Sequence, residues 1–349
     1  ECPIHLCIFP WVLIATMLYW KSVERKGRKW NNGKTYLYPL ILNNLGVKKA
    51  APHKIESISE LHSLFGLPKP DHPLISVIDF ELLKFDDNTI WSNFFYDFYC
   101  VACKKGASGK FKYGQGTYDF DEGVMSFTKP GQIFSVTNPT DDPVSGYMLI
   151  FKPELIRHYE LGKVIGNYGF FSYSTAEALH LSEKEDKIMM NLMHQMQDEL
   201  KNNIDHYSQD LIVSHIDLLL HYAKRFHNRQ FLTRSAINND LVAKMEELID
   251  TYLKSDAALS GLPTVNFFAE KLNVSPDYLS DLLRNVTGKN AQTHIQESII
   301  DRAKELLSTS DLSIKEIAYD LGFERPQSFS TMFKKKTQQT PLQYRASFN

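Results

Sequence analysis

The sequence predicts an α+β protein, with an antiparallel β domain in its first half and an all-helical domain at its C-terminal end. Three observations support this fold class. Short apolar and aromatic runs, separated by Gly, Pro and Asp, follow one another between residues 74 and 151. Two segments between residues 182 and 227 repeat apolar residues at helical spacing. From residue 264 onward, a helix, a turn and a second helix occur twice.

Composition and charge narrow the class of protein. The 349 residues are 43% hydrophobic and 23% charged, as in a soluble globular protein with room for two domains. The 39 basic and 41 acidic residues give a net charge of −2, which does not indicate a nonspecific nucleic-acid coat. The four cysteines form no regular disulfide framework. Cys100 and Cys103 are three apart in a predicted strand, so their thiols point to opposite faces and do not converge.

Residues 1–47 are predicted to be an extension outside the folded domains. The run from Cys2 to Trp20 contains no Lys, Arg, Asp or Glu, and several basic residues follow it. We interpret the segment as sequence from upstream of the true start. The alternative is an apolar tether through residues 2–20 in the inner membrane, which would leave the rest of the chain cytoplasmic.

Residues 48–181 are predicted to form the β domain, built as an antiparallel sandwich or barrel. The predicted strands are 74–78, 94–103, 111–113, 116–120, 124–127, 133–136 and 146–151. No histidine lies between Leu74 and Phe151, so a histidine-based metal centre is not expected, and the sequence indicates no cofactor. The aromatic residues of these strands either surround a small ligand or fill the core; they are Phe95, Tyr113, Tyr118, Phe127 and Phe134.

Residues 182–227 are predicted to form two amphipathic helices. One apolar stripe runs from Ile188 to Leu200 and the other from Ile212 to Phe226. We expect one stripe to pack on the β domain and the surplus apolar face to bind a second copy of the chain. The alternative is a helix pair that packs only within one chain. Residues 228–239 are polar and are predicted to link this segment to the C-terminal domain, residues 240–349.

The two C-terminal repeats have the order of a helix-turn-helix. The first spans about 264–287, with Ser275 as N-cap and Pro276 at the first helical position of its second helix. The second spans about 313–336, and Gly322 marks its turn. A longer helix from Ala291 to Leu307 joins them. Such a helix could set the two second helices about one DNA turn apart, roughly 34 Å.

This arrangement resembles the DNA-binding domain of the AraC/XylS family of bacterial transcription regulators. The matching residues are Ala269, Leu272, Ser275, Leu279, Gly288, Arg302, Ala303, Leu306, Leu307, Ile317, Ala318, Gly322, Phe323, Phe329, Phe333, Thr340, Pro341, Tyr344 and Arg345. The resemblance implies a cupin-like jelly-roll sensor and dimerisation helices ahead of this domain. The turn residues from Asp121 to Gly131 are similar to those of a cupin. Gln338 stands where the family usually has glycine.

Motif position predicts the residues that contact DNA. In the first repeat they are Asp277, Tyr278, Ser280, Asp281 and Arg284. In the second they are Arg325, Gln327, Ser328 and Thr331, with Lys334, Lys335 and Lys336 near the phosphates. Arg pairs with guanine, Gln with adenine, and Asp can accept a hydrogen bond from cytosine. The segment 264–349 holds 11 basic and 10 acidic residues, a balance that favours sequence-specific over nonspecific DNA binding.

The resulting expectation is a cytoplasmic, homodimeric transcription regulator without enzymatic activity. Its expected partners are double-stranded promoter DNA, a small-molecule effector and, for an activator, RNA polymerase. The alternatives are an architectural DNA-binding protein, or a cupin-type enzyme with an appended DNA-binding domain.

Overall fold

The computed structural model describes residues 52–84, 89–105, 123–134, 145–174, 177–202, 205, 207–255 and 261–348. The predicted extension 1–47 and the strands predicted at 111–113 and 116–120 lie outside these ranges. Within them, no helix combines the length and apolarity that a membrane crossing requires.

The described strands form two sheets and do not close into a barrel. The smaller sheet has the order β1-β3-β6, and its strands are β1 His53–Ile55, β3 Phe94–Tyr96 and β6 Ile133–Phe134. The larger sheet has the order β2-β7-β4-β5-β8 and is antiparallel throughout. Its strands are β2 Ile75–Asp79, β4 Tyr99–Lys105, β5 Gly123–Thr128, β7 Ser145–Phe151 and β8 Leu179–Leu181.

The larger sheet is covered on both faces. On one face, Cys100 and Ala102 of β4 belong to a core shared with the smaller sheet and with helix α1, Ile58–Leu64. On the other face, Val101 and Cys103 belong to a core shared with the long helices that follow. The two thiols therefore lie on opposite faces, as the alternation predicted. Phe127 lies on the helix side, in contact with Phe170 and Phe171, where it fills core space.

One strand prediction is corrected by the structure. The run 94–103 was expected as a single strand, but it divides at Asp97 and Phe98 into β3 and β4, which belong to different sheets. Phe98 is fully buried between them and stacks on Tyr96 at 4.3 Å between ring centroids. A continuous apolar run carries no signal for such a crossing, because every residue in it favours burial in either sheet.

The helices at 182–227 form as expected. After two short helices, α2 Pro153–Ile156 and α3 Glu160–Val164, comes α4, Glu183–Lys201, which begins with a capping box of Ser182 and Glu185. Helix α5 spans Ser208–Thr233. Both predicted apolar stripes are buried in the core on the helix side of the larger sheet. Leu211, Leu218 and Leu232 remain exposed on α5.

The polar linker predicted at 228–239 is helical. Helix α5 continues to Thr233, and α6, Ser235–Lys254, begins after the single residue Arg234. Four residues in the supposed linker are buried: Gln230, Phe231, Arg234 and Asn238. The amide of Gln230 donates to the carbonyl of Ala178 at 3.2 Å, and its oxygen accepts from the backbone N–H of His180 at 2.8 Å. The amide nitrogen of Asn238 donates to the Phe231 carbonyl. Polar composition misled the prediction because polar side chains such as Gln230 and Asn238 are buried here and bond to the backbone of the protein.

The C-terminal half contains six further helices in the described residues. They are α7 Val265–Leu272, α8 Pro276–Thr287, α9 Ala291–Thr309, α10 Ile314–Asp320, α11 Pro326–Thr337 and α12 Pro341–Ala346. The predicted stripe of the connecting helix is buried: Ile295, Ile299, Ala303, Leu306 and Leu307 are at most 8% exposed. Helix α9 thus braces both repeats.

Candidate DNA-binding interface

Local capping fixes both helix-turn-helix units. In the first, Asn273 ends α7 in the left-handed conformation at φ +55°, and the Ser275 hydroxyl accepts a hydrogen bond from the Tyr278 N–H at the start of α8. In the second, Ser313 and Glu316 form a capping box on α10, and Gly322 turns the chain at φ +86°. The N-cap role of Ser275 and the turn at Gly322 confirm two sequence predictions.

The second recognition helix, α11, presents an open polar face. Its buried side consists of Phe329 and Phe333, both fully buried, and Phe333 packs on Tyr344 of α12. The predicted contact residues are all exposed: Arg325, Gln327, Ser328, Thr331, Lys334 and Lys335. Lys336 is exposed as well. The structure therefore leaves every one of these predicted residues accessible.

A groove of about 520 Å³ runs along that face of α11. It is lined by Gln296, Gln327, Ser328, Thr331, Met332, Lys335 and Lys336. Gln296 was not predicted, because it belongs to the connecting helix α9 rather than to the repeat itself. Its amide could extend the polar surface towards the middle of the domain. The lysines sit in the last turn of α11, where cations also complement the helix dipole.

The first recognition helix, α8, is placed differently. Asp277 and Arg284 are exposed, while Ser280 and Asp281 are half-buried. Tyr278 is only 6% exposed and packs on Tyr173 at 5.2 Å and Phe231 at 5.3 Å between ring centroids. In this arrangement Tyr278 does not face an open surface, in contrast to the sequence prediction.

Residues 169–174 and 177, which precede β8, cover part of α8; we call this the interdomain contact. The phenol of Tyr173 donates to Oδ2 of Asp281 at 2.8 Å. A Cβ added to Gly169 would lie 2.4 Å from Oδ2 of Asp281 and 3.7 Å from Cβ of Asp277. Glycine at 169 therefore allows the backbone to approach the acidic side of α8 directly.

Glu177 anchors the interdomain contact at the start of α8. Its side chain is buried, and Oε1 accepts from the Ser275 N–H at 2.6 Å. Oε2 accepts from the Ser275 hydroxyl at 2.7 Å and from the Ser174 N–H at 2.6 Å. A carboxylate near a helix N-terminus is stabilised by the partial positive charge there. Glu177, Tyr173 and Gly169 were not predicted from the sequence, because the residues that they contact lie about a hundred positions further along the chain.

Electrostatics of the contact keep Tyr173 protonated. Burial, the adjacent Asp281 carboxylate and the hydrogen bond to it raise the pKa of Tyr173 well above its ordinary value. Asp281 also pairs with the guanidinium of Arg284 on the same helix. Two of the predicted base-contacting residues, Asp281 and Arg284, thus bind each other, and Asp281 also binds Tyr173 in the N-terminal half of the chain.

The part of the chain that the structure describes holds no cluster of three or more His, Cys, Asp or Glu side chains able to bind a metal ion.

Known proteins match this chain in its C-terminal region. Residues 268–347 match a family model described as a helix-turn-helix domain. This region is an AraC-type DNA-binding domain. Helices α7–α8 and α10–α11 are its two helix-turn-helix units.

Curated relatives share only part of their length with the chain. An uncharacterised HTH-type transcriptional regulator of Staphylococcus aureus is 32% identical over 128 residues, which are 36% of this chain and 16% of that protein. The HTH-type regulator YijO of Escherichia coli is 31% identical over 81 residues, 23% of this chain and 29% of the relative. A protein named histidine kinase P4, from Formosa agariphila, is 30% identical over 118 residues, 34% of this chain and 8% of its own.

Solved structures that are similar to the chain also match about a third of its length. The C-terminal domain of AraT, a response regulator from Geobacillus stearothermophilus, is 32% identical with a TM-score of 0.28, covering 31% of this chain and 84% of its own. The DNA-binding domain of AdpA, solved in complex with a target DNA, is 24% identical with a TM-score of 0.27. The match covers 32% of this chain and 91% of that domain's chain.

Proposed function

We propose that the chain is a sequence-specific, effector-responsive transcription regulator that binds promoter DNA through α8 and α11. The observation that carries the proposal is the polar face of α11. On an AraC-type domain, it exposes Arg325, Gln327, Ser328 and Thr331 together, with three lysines at its end. Arg and Gln suit bidentate contacts to base edges, and lysines suit phosphates.

The spacing of the two recognition helices supports a bipartite site. Helix α9 contains 19 residues and is therefore about 28 Å long at 1.5 Å per residue. Together with the flanking turns, this length suits two major-groove segments about 34 Å apart on one side of the duplex. In the proposal, α11 makes most of the contacts to base edges. Helix α8 adds contacts from Asp277, Ser280, Asp281 and Arg284 once its polar face is no longer covered.

The interdomain contact supports regulation by a shift between two arrangements. While residues 169–173 lie against Asp277 and Asp281, a duplex cannot occupy the same space. In the closed arrangement α11 alone is open to DNA; in the open one both helices are. An effector that binds the two arrangements unequally would shift their populations, and thereby DNA affinity.

The first half of the chain would serve as the sensor and the dimerisation unit. The antiparallel five-stranded sheet supports a cupin-like sensor. Leu211 and Leu218, 48% and 46% exposed and two helical turns apart on α5, support a homodimer through that helix. For an activator, RNA polymerase would be a further partner. A promoter-binding protein would act in the cytoplasm, and the proposal assigns it no catalysis.

Selection of binding sites from random DNA tests the proposal with the full chain at two salt concentrations. We expect an enriched motif with two half-sites about one helical turn apart. Gln327→Ala should relax the preference at one position of that motif. Gln195→Ala, another exposed glutamine but on α4, is the matched control and should leave the motif unchanged. Binding without any enriched motif, and with a steep loss in salt, would instead identify an architectural protein.

A further inference from the structure

The groove along α11 is bordered by two rows of side chains that run parallel to the helix axis. The first row is Gln327, Thr331 and Lys335, and the second is Ser328, Met332 and Lys336. Within each row the residues are four apart, so they follow one another along one face of the helix at intervals of about 6 Å. Gln296 of α9 completes the lining.

Met332 is the apolar residue of this groove. The other six residues that line it carry amide, hydroxyl or ammonium groups. Met332 is half-buried: its side chain packs against the core that includes Phe329 and Phe333, and it also borders the groove. A flexible thioether at the edge of an otherwise polar groove favours an apolar partner, because contact with one removes apolar surface from water.

The groove also has the charge that suits a nucleic-acid strand. Lys335 and Lys336 are both exposed, and none of the described residues that line the groove is acidic. Lys336 follows Met332 by one interval of its row, about 6 Å along the helix. Its long side chain can therefore reach a phosphate of a strand whose base lies against Met332.

Base chemistry decides which base suits Met332. In the major groove only thymine presents a methyl group, at C5, whereas adenine, guanine and cytosine present hydrogen-bond donors and acceptors. A donor or acceptor placed against a thioether loses its water without gaining a strong hydrogen bond. Met332 therefore favours thymine over the other three bases at the position that it contacts.

We infer that Met332 contacts the C5-methyl group of a thymine in the half-site bound by α11, while Lys336 contacts a phosphate of the same strand. Met332 is then a specificity-determining residue beside the polar residues Arg325 and Gln327. The inference rests on the proposed function and deepens it, because it assigns one base of the DNA sequence that α11 recognises.

Replacement of thymine by deoxyuridine tests the contact, because it removes the methyl group and leaves base pairing unchanged. The full chain first selects its binding motif, and the preference lost in Gln327→Ala identifies the half-site of α11. Each thymine of that half-site is then replaced in turn. We expect one position at which deoxyuridine weakens DNA binding about fourfold, the effect of one buried methyl group, measured by fluorescence anisotropy.

Three variants assign the methyl contact to its residue. Met332→Leu keeps an apolar side chain and should keep the deoxyuridine effect. Met332→Gln has a similar length but a polar end, and should abolish the effect. Met190→Gln is the matched control and should keep it, because Met190 is another half-buried methionine that packs against the same core, on α4. Thermal unfolding shows that each variant is folded.

The outcomes distinguish this inference from the proposed function. Selection that enriches no motif would overturn both. An enriched motif in which no deoxyuridine weakens binding by the wild type would overturn the inference alone, and this result requires no variant. A deoxyuridine effect that Met332→Gln leaves unchanged would also overturn it, because the methyl group would then contact another residue, such as Thr331.

Discussion

The Tyr173 phenol and the Asp281 carboxylate, 108 residues apart in sequence, are joined by a hydrogen bond of 2.8 Å. Tyr173 belongs to the segment before β8, and Asp281 lies on the first recognition helix. Because the pKa of Tyr173 is raised by burial and by this carboxylate, the phenol stays a donor over the whole physiological range. One hydrogen bond thus connects the N-terminal half to a residue predicted to contact DNA.

Removing that hydroxyl should favour the open arrangement. Tyr173→Phe keeps the ring that packs on Tyr278 and loses about 1 kcal/mol of hydrogen-bond energy in the closed arrangement. We expect DNA affinity about fivefold higher, measured by fluorescence anisotropy on the selected site. Tyr252→Phe is the matched control, because its hydroxyl donates to the Gly261 carbonyl within the C-terminal half. Weaker DNA binding by Tyr173→Phe than by the control would contradict this prediction.

Glu177 should contribute strongly to stability. Both of its oxygens accept hydrogen bonds, and Glu177→Gln replaces one acceptor with a donor that faces other donors. We expect a loss of about 1–3 kcal/mol in the free energy of unfolding, measured with urea. Glu183→Gln, at an exposed position paired with Lys187, should change it far less, because solvent screens an exposed ion pair. Equal effects of the two substitutions would show that the buried contact contributes nothing.

Gln338 is held in a conformation that glycine prefers. It ends α11 at φ +64°, in the left-handed region, where a Cβ is disfavoured. In the sequence, Gln338 stands where the AraC/XylS family usually has glycine, and the structure shows that the position has the backbone conformation that favours glycine. Gln338→Gly should raise the free energy of unfolding by about 0.5–1 kcal/mol. Gln339→Gly, at the next residue and without a positive φ, should not stabilise the domain. A destabilised Gln338→Gly would mean that the side-chain hydrogen bond to the Lys335 carbonyl matters more than the backbone strain.

Residues of α11 that contact bases and residues that contact phosphates should affect DNA affinity in different ways. Gln327→Ala should cost about 1–3 kcal/mol on the selected site and little on unrelated DNA. Lys335→Ala should weaken binding to both DNAs and lower the salt slope by about 1. Anisotropy titrations on both DNAs at several salt concentrations distinguish these outcomes. If Gln327→Ala weakened binding to both DNAs equally, Gln327 would contact the DNA phosphate backbone rather than a base.

Stability should depend on pH through His227. Its pKa is lowered to about 3 in the folded chain from an ordinary value of 6.5, so the unfolded chain binds the extra proton between these values. Above pH 6.5, His227 is neutral in both states and does not affect the free energy of unfolding. As the pH falls from 6.5 towards 3, the unfolded chain binds the extra proton and the free energy of unfolding decreases. The slope attributable to His227 should approach 1.4 kcal/mol per pH unit between pH 6 and 4. Urea unfolding of the wild type and of His227→Phe should differ by this slope; parallel pH profiles would refute the assignment.

The C-terminal helices were predictable because their signals are local. Apolar residues at helical spacing, the cap Ser275 and the turn residue Gly322 each act within a few residues, and each is found in its expected role. The exposed face of α11 followed from the same periodicity. Nothing comparable exists for the strand break at Asp97, where the choice of sheet depends on distant partners.

The covered face of α8 could not be read from sequence for a related reason. A polar helix face looks the same whether water, DNA or another part of the chain lies against it. Tyr278 carries the one available hint, since a large aromatic residue on a recognition helix has apolar area to bury. Its partners Tyr173 and Phe231 are identified only by the fold.

The single residue Arg234 between α5 and α6 has a mechanical consequence. Because two long helices meet with no loop between them, the N-terminal half and the C-terminal half cannot drift apart as they would on a flexible tether. Their surfaces remain at a high effective concentration, so a contact too weak to hold two separate molecules together can still hold these halves together. Small changes at residues 169–174 and 177 would then be enough to set how strongly the two halves hold each other.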